Sequence, residues 1–248
     1  AFRLYPCRTA QIAAAGTGRL RNDEVGRYTI NFDIAEPCDW PAAWPGPLYR
    51  GKPVLEWRPV EQEDPSVSHE RALERIDVAT GLPDLVDRLG VNLRGAGHQW
   101  WLANREDAAR FRSLLYAFNG RLNEAWLPSF AADLQLVAPI GGGALDVEWC
   151  AYTRHQRGRI DRRDIRVELF DGAVHYRRIG DSIELDSDHE RLVLDAPFVD
   201  PIPVNRVRQI SFMALSELTS DNIEWMHDRD DDGLNIVGLA LRGVKHGD

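Results

Sequence analysis

Short runs of alternating or fully apolar residues, separated by turn residues, fill the chain from Asp133 onward. A strand places successive side chains on opposite faces, so such runs are typical of a β-sandwich or barrel. The pattern predicts strands at 134–137, 144–149, 165–170, 174–179, 182–185, 191–194, 207–215, 223–227 and 234–241. We therefore expect a mainly β (α+β) fold: a β-sandwich or barrel with one flanking amphipathic helix.

Glycines mark two of the predicted hairpins. Gly141, Gly142 and Gly143 separate one pair of strands, and Asp171 with Gly172 separates another. Glycine adopts the positive φ angles that tight hairpin turns need. Both turns therefore have a structural explanation.

The predicted helix covers about 105–119. Asn104 can cap its first turn, and Gly120 can adopt the left-handed conformation that ends it. Apolar residues recur between them at helical spacing, at Ala108, Phe111, Leu114, Leu115 and Phe118. This apolar stripe predicts a helix that lies across a sheet.

The first half of the chain has weaker signals. We expect strands at 27–34 and 53–60, with a proline-rich and tryptophan-rich loop between them. The charged stretch 61–75 is typical of an exposed loop, and 82–90 predicts a short helix ended by its glycine. The expected organisation is a loop-rich segment with two strands (1–60), a charged loop plus helical segment packing on the sheet (61–130) and a β-sandwich or barrel domain (131–248).

Composition restricts the functional class. The 248 residues carry a formal charge of −9, which disfavours gripping nucleic acid but suits a passage through which DNA slips without sticking. Cys7, Cys38 and Cys150 are odd in number and far apart, so we expect no disulfide framework and no zinc or iron–sulfur site. Without a long apolar run or a secretory signal, a cytosolic protein with no membrane insertion is expected.

One segment has the residue types of a metal site. Asp228, Asp230, Asp232 and Gly233 match the opening half of a calcium loop, but Leu239 stands where the bidentate glutamate is needed. The alternatives are a tight hairpin and a partial cation site. No nucleophile elbow, phosphate-binding loop or paired-histidine motif occurs, so we predict no enzyme, no catalytic residue, no metal and no cofactor.

Two other functions stay open. Eight tryptophans, spread over the chain, could pack in the core, anchor a subunit interface or line a sugar platform. A carbohydrate-binding or calcium-dependent module for a host surface is therefore an alternative. An acid-pair hydrolase is a third, because sequence spacing does not show which carboxylates face each other.

The segment 111–128, FRSLLYAFNGRLNEAWLP, resembles tail-tip proteins of long-tailed bacteriophages, in which a helix ends at a glycine before an aromatic-rich strand. The similarity continues through the glycine hairpin, 163–169 and 207–215, and covers about 103–243. It implies a siphophage distal-tail or upper-baseplate subunit, similar to the tail-tube protein. Some relatives hold an iron–sulfur cluster through four cysteines, which the three cysteines here do not match.

The resemblance implies a virion protein made in the host cytoplasm. Its expected partners are other copies of itself in a closed ring, the tail tube, and tape-measure or hub proteins. We expect this ring to link the tail tube to the distal hub, with long loops at 36–53 and 61–75 contacting neighbours.

Overall fold

The computed structural model describes residues 9–12, 17–22, 25–30, 32–34, 41–44, 46–60, 66–77, 81, 83–227 and 234–245. The fold is mainly β, with one long helix in these residues, which confirms the predicted class. The chain divides into two compact units, Ala1–Pro41 and Ala42–Asp248.

The described strands are β1 Ala10–Ile12, β2 Thr17–Asn22, β3 Val25–Thr29, β4 Phe32–Ile34, β5 Leu48–Tyr49, β6 Lys52–Pro53, β7 Ser66–Ile76, β8 Asp84–Leu102, β9 Ala125–Pro128, β10 Ala144–Glu148, β11 Asp164–Leu169, β12 Val174–Glu184, β13 His189–Leu194, β14 Val207–Leu218, β15 Trp225–His227 and β16 Asn235–Gly243. Helix α1 is Arg105–Phe118, and Tyr152–Gln156 and Val204–Arg206 form a π-helical and a 3₁₀ turn.

The first unit contains two antiparallel pairs, β1 with β4 and β2 with β3. The strand predicted at 27–34 overlaps β3 and β4, which are separate strands. Ile30 lies between them outside any strand.

In the second unit, five strands close into a small barrel. They are hydrogen-bonded in the order β10, β13, β12, β11, β14. In a flat sheet the outer two would be about 19 Å apart, at 4.7–4.9 Å per strand. Leu134 instead bridges to Ile210 of β14, and Leu136 bridges to Val147 of β10. The short segment 134–136 therefore joins the two ends of the sheet.

The barrel interior is one of the two main cores of this unit. It contains apolar side chains from all five barrel strands and the flanking segments: Leu134, Ile140, Leu145, Val147, Tyr152, Ile165, Val167, Leu169, Ile179, Leu192, Leu194, Phe198, Ile202, Ile210 and Phe212. The register of β12 against β13 shifts between Ile179 and Asp181, an irregularity that helps a strand to bend around a barrel.

A second layer extends from β14. Its last residues pair with β9 and β16, and β8 and β7 follow β16 in the sheet. Helix α1 covers one face of β8 and β16, as its apolar stripe predicts. All five predicted stripe residues are buried there, together with Trp100, Leu102, Val237, Leu239 and Leu241.

The caps of α1 are also largely as predicted. The backbone N–H of Asp107 donates to the side chain of Asn104. The left-handed conformation at the end begins one residue before the expected glycine, at Asn119 (φ 50°), and continues through Gly120 (φ 64°). Asparagine tolerates this conformation better than most residues do.

Two predictions about the first half are wrong. The helix expected at 82–90 does not form, because the described residues from Asp84 onward belong to β8. The loop expected at 61–75 is wrong from Ser66 onward, where the residues form β7; positions 61–65 lie outside the described residues. Each strand supplies the other's backbone hydrogen-bond partners, which overrides their weak local preferences.

Other strand predictions are partly right. The strand expected at 53–60 is mostly irregular chain after β6. The segment 134–137 forms single bridges only, and 182–185 is the end of β12 rather than a separate strand. The strands predicted at 144–149, 165–170, 191–194, 207–215, 223–227 and 234–241 are confirmed within a few residues.

Candidate assembly surface

Strand β7 and residues 84–97 of β8 form a two-stranded arm. Its inner half, 66–71 with 92–97, continues the sheet. Strand β16 pairs with β8 only from Gly95 onward. In the described part of the chain, the outer half of the arm, 73–76 with 84–87, therefore has no strand partner beyond itself.

Asp87 organises the joint between the two halves, where the register shifts after Arg71. Its carboxylate accepts the backbone N–H groups of Leu89 and Gly90, and Nε of Arg71 at 2.6 Å. These hydrogen bonds lower the pKa of Asp87, and the bond from the Gly90 backbone contributes most. Gly90 has φ +68°, a conformation that favours glycine. The joint is thus a defined bulge in the arm.

The outer half of the arm carries apolar side chains on both faces. Directly opposed residues share a face, so Leu73 and Leu85 lie on one face and Ile76 and Val86 on the other. Their exposed fractions are 54%, 63%, 43% and 37% respectively. An isolated hairpin is marginally stable in water, and exposed apolar clusters mark interaction sites. This part of the arm is therefore suited to burial against another surface.

A second apolar patch crosses three strands and consists of Trp101, Ile236 and Met226. We call it the tryptophan row, after Trp101. The register places Trp101 of β8 beside Ile236 of β16, and Ile236 beside Met226 of β15. The neighbouring row of Trp100, Val237 and Trp225 packs towards α1, so the tryptophan row lies on the opposite face. Trp101 is 43% exposed and Met226 58%. Aromatic residues and methionine are enriched at protein interfaces.

The outward face of β11 carries a buried charged row that sequence reasoning missed. Arg166 donates from Nε and Nη2 to the carboxylate of Glu56 at 2.6–2.9 Å, and from Nη1 to Glu168 at 2.5 Å. Burial alone would lower the pKa of Arg166, but these bonds raise it above its usual value. Burial and a hydrogen bond to Glu56 raise the pKa of the Tyr176 hydroxyl.

Asp164 extends this row at the start of β11. Its side chain is fully buried and accepts hydrogen bonds from the Tyr49 hydroxyl at 2.8 Å and from Nε of Arg178 at 2.9 Å. Burial raises the pKa of the Tyr49 hydroxyl most, and the nearby negative charge of Asp164 raises it further. Tyr49 and Glu56 belong to one segment, 49–58, which we call the covering segment. The charged row therefore fixes this segment to the barrel.

Glu190 is another buried carboxylate with a structural role. It accepts the backbone N–H groups of Cys150, Tyr152 and Thr153, and the Thr153 hydroxyl at 2.6 Å. Burial alone would raise its pKa, but these hydrogen bonds lower it. Glu190 thus holds the start of the π-helical turn.

The residues considered for metal binding give no site in the described ranges. The stretch with Asp228, Asp230, Asp232 and Gly233 lies outside the described residues, as do Cys7 and Cys38. Cys150 has a free, half-buried thiol whose pKa burial raises. No group of three potential metal ligands occurs among the described residues. The turn at Asp171 and Gly172 is present, with Gly172 at φ +87°.

The described tryptophans divide by environment. Trp100 and Trp126 are buried, Trp44, Trp57 and Trp225 are partly buried against the core, and Trp101 and Trp149 are exposed. Trp40 lies outside the described residues. Arg154 stacks over the Trp149 ring, whereas Trp101 lies in the apolar row. Of the two exposed rings, Trp101 is therefore the one within an apolar patch.

No protein-family model matches the chain, and no curated protein sequence matches it significantly. Among the residues that the structure describes, no helix is both long and apolar enough to cross a lipid bilayer.

Proposed function

We propose that the chain is a structural subunit of a bacteriophage tail tip, at the distal-tail or upper-baseplate position of a siphophage. Copies assemble into a closed homo-oligomeric ring that links the tail tube to the distal hub. The other partners are the tail-tube protein and a tape-measure or hub protein. The protein is made in the host cytoplasm and ends in the virion.

The sequence resemblance over about 103–243 supports this assignment to a tail. It spans the capped helix α1, strand β9 and all five strands of the barrel. The net charge of −9 fits a ring whose lumen lets DNA pass without holding it, because like charges repel. The buried charged row on β11 supports a structural role, since its carboxylates are engaged by arginine and tyrosine side chains.

The arm is the observation that carries the proposal of self-assembly. It presents apolar side chains on both faces of an unsupported hairpin, and a different apolar patch, the tryptophan row, lies elsewhere on the same chain. Contact between two different patches is heterologous, and it produces a ring when the rotation between copies closes. The outer half of the arm of one copy thus covers the tryptophan row of the next.

This proposal is tested by the mass of the purified protein in solution, measured by light scattering and native mass spectrometry. The wild-type chain should form a discrete oligomer. The double variant Leu73→Ser/Leu85→Ser should shift the distribution towards monomer, because it removes one apolar face of the arm. Both side chains are more than half exposed, so the monomer should retain its fold.

Leu122→Ser is the matched control, because Leu122 is 73% exposed but lies outside the arm and the tryptophan row. The Leu122→Ser variant should form an oligomer of the same mass as the wild type. A wild-type chain that stays monomeric at all concentrations would contradict the proposal, as would an oligomer that the double variant leaves unchanged.

A further inference from the structure

A cleft of about 380 Å³ lies between the arm and the barrel. Residues 90–94 of β8 form one wall, and residues 157–161, after the π-helical turn, form the other. Apolar residues contribute to the lining, including Leu93, Leu215 and Val244. Small-molecule sites typically occupy 300–1,000 Å³ and combine an apolar lining with a few polar groups. The cleft has the size and composition of such a site.

The charged residues of this cleft are unbalanced. Four arginines and one aspartate line it: Arg71, Arg94, Arg157, Arg159 and Asp161. Two of the arginines have carboxylate partners outside the lining. Arg71 contacts Asp87 at 2.6 Å, and Arg157 contacts Asp181 at 2.5 Å.

The other two arginines are less well neutralised. Arg94 is half-buried and forms no ion pair with any residue in the described ranges. Arg159 lies 3.8 Å from Asp161, and Asp161 is shared with Arg162 at the same distance. Arg94 is thus a partly desolvated cation without a counter-charge, which is unfavourable, whereas the Arg159 side chain is 54% exposed and only loosely paired. The cleft therefore favours an anion.

A shallower extension continues the cleft past Asn92, Arg159 and Asp161, which line both. Gln156 lines the extension, and its side-chain oxygen is buried without a hydrogen-bond partner in the described part of the chain. Buried polar groups are normally satisfied by protein, water or ligand. This oxygen is a second sign that the region accommodates a further molecule.

We propose that the cleft binds a small organic anion, a carboxylate or phosphate group attached to an apolar body. Arg94 and Arg159 hold the anionic group, since the guanidinium fork matches both kinds of oxyanion. The apolar body lies against Leu93, Leu215 and Val244. Because the ligand touches both walls, it ties the inner half of the arm to the barrel. This inference does not depend on the tail-tip proposal.

Calorimetric titration of the full chain at low ionic strength tests the inference, with four probes: hexanoate, hexyl phosphate, hexanol and inorganic phosphate. Hexanoate or hexyl phosphate should bind at least tenfold more tightly than hexanol and inorganic phosphate. Whichever of the two binds more tightly identifies the anionic group. Backbone amide resonances of 90–94 and 157–161 should shift during the titration.

The variant Arg94→Gln should weaken binding of the tighter anion at least tenfold, and Arg159→Gln should also weaken it. Arg110→Gln, on the exposed side of α1, is the matched control and should bind like the wild type. If Arg94→Gln fails to fold, the affinity of Arg159→Gln for the same anion decides the test. Absence of binding up to 10 mM, equal binding of hexanol, or wild-type affinity in a folded cleft variant would overturn the inference.

Discussion

Arg166 joins the covering segment to the barrel through two carboxylates. Its side chain is only 6% exposed and contacts both Glu56 and Glu168. A buried ion pair recovers little net free energy, because desolvation of both charges opposes their attraction. Removing one partner is different, since it leaves the other charge buried without compensation.

We therefore expect Arg166→Met to destabilise the protein by about 3–5 kcal/mol, measured as the free energy of unfolding in urea. Methionine has a similar length, so lost charge pairing dominates over lost volume. The matched control is Arg191→Met, because Arg191 pairs with Asp146 at an exposed position of the barrel. That variant should leave the urea midpoint nearly unchanged. Equal effects of the two variants would contradict the proposed role of the charged row.

The sequence predicts the strand that carries Arg166 but not the burial of its outward face. Asp164, Arg166 and Glu168 alternate with apolar residues, the pattern of a strand with one face in solvent. The residue that covers Arg166 is Glu56, 110 positions earlier in the chain. Local periodicity contains no information about such a distant partner, so the charged row emerges only from the tertiary structure.

Helix α1 is the element that the sequence predicts best, because its stop signals, its stripe and its N-cap agree. The Asn104 side chain accepts the Asp107 backbone N–H at 2.8 Å. Asn104→Ala removes this bond and should reduce the free energy of unfolding by about 1 kcal/mol in urea denaturation.

Asn222→Ala is the matched control for this cap. Asn222 is exposed in a loop, and its side chain makes no hydrogen bond with the residues that the structure describes. Its stability should therefore equal that of the wild type. If both alanine variants have the same stability, the cap does not contribute as proposed.

The arm is the element that the sequence predicts worst. Leu82, Leu85, Val86 and Leu89 recur at helical spacing before Gly90, which explains the wrong helix prediction. In the arm, residues 84–87 pair with 73–76, and both faces are open to solvent. The usual alternation of a half-buried strand is therefore missing. Pairing between two individually ambiguous segments decides the conformation.

At the scale of the whole second unit, the sequence predicts the class of fold but not the way the barrel closes. Closure depends on single bridges at Leu134 and Leu136, within a segment too irregular to count as a strand. The resulting unit combines a closed barrel, which has few free strand edges, with an arm whose outer strand β7 is an open edge among the described strands. Open edges favour pairing with another chain. We therefore expect copies of the chain to assemble through the arm.

Cryo-electron microscopy of the assembled particle would show whether the copies meet through the arm. We expect a closed ring in which the outer half of each arm, 73–76 and 84–87, is packed against the tryptophan row of the adjacent copy. A ring whose arms project freely into solvent, or whose subunit junctions lie away from both the arm and Trp101, would contradict it.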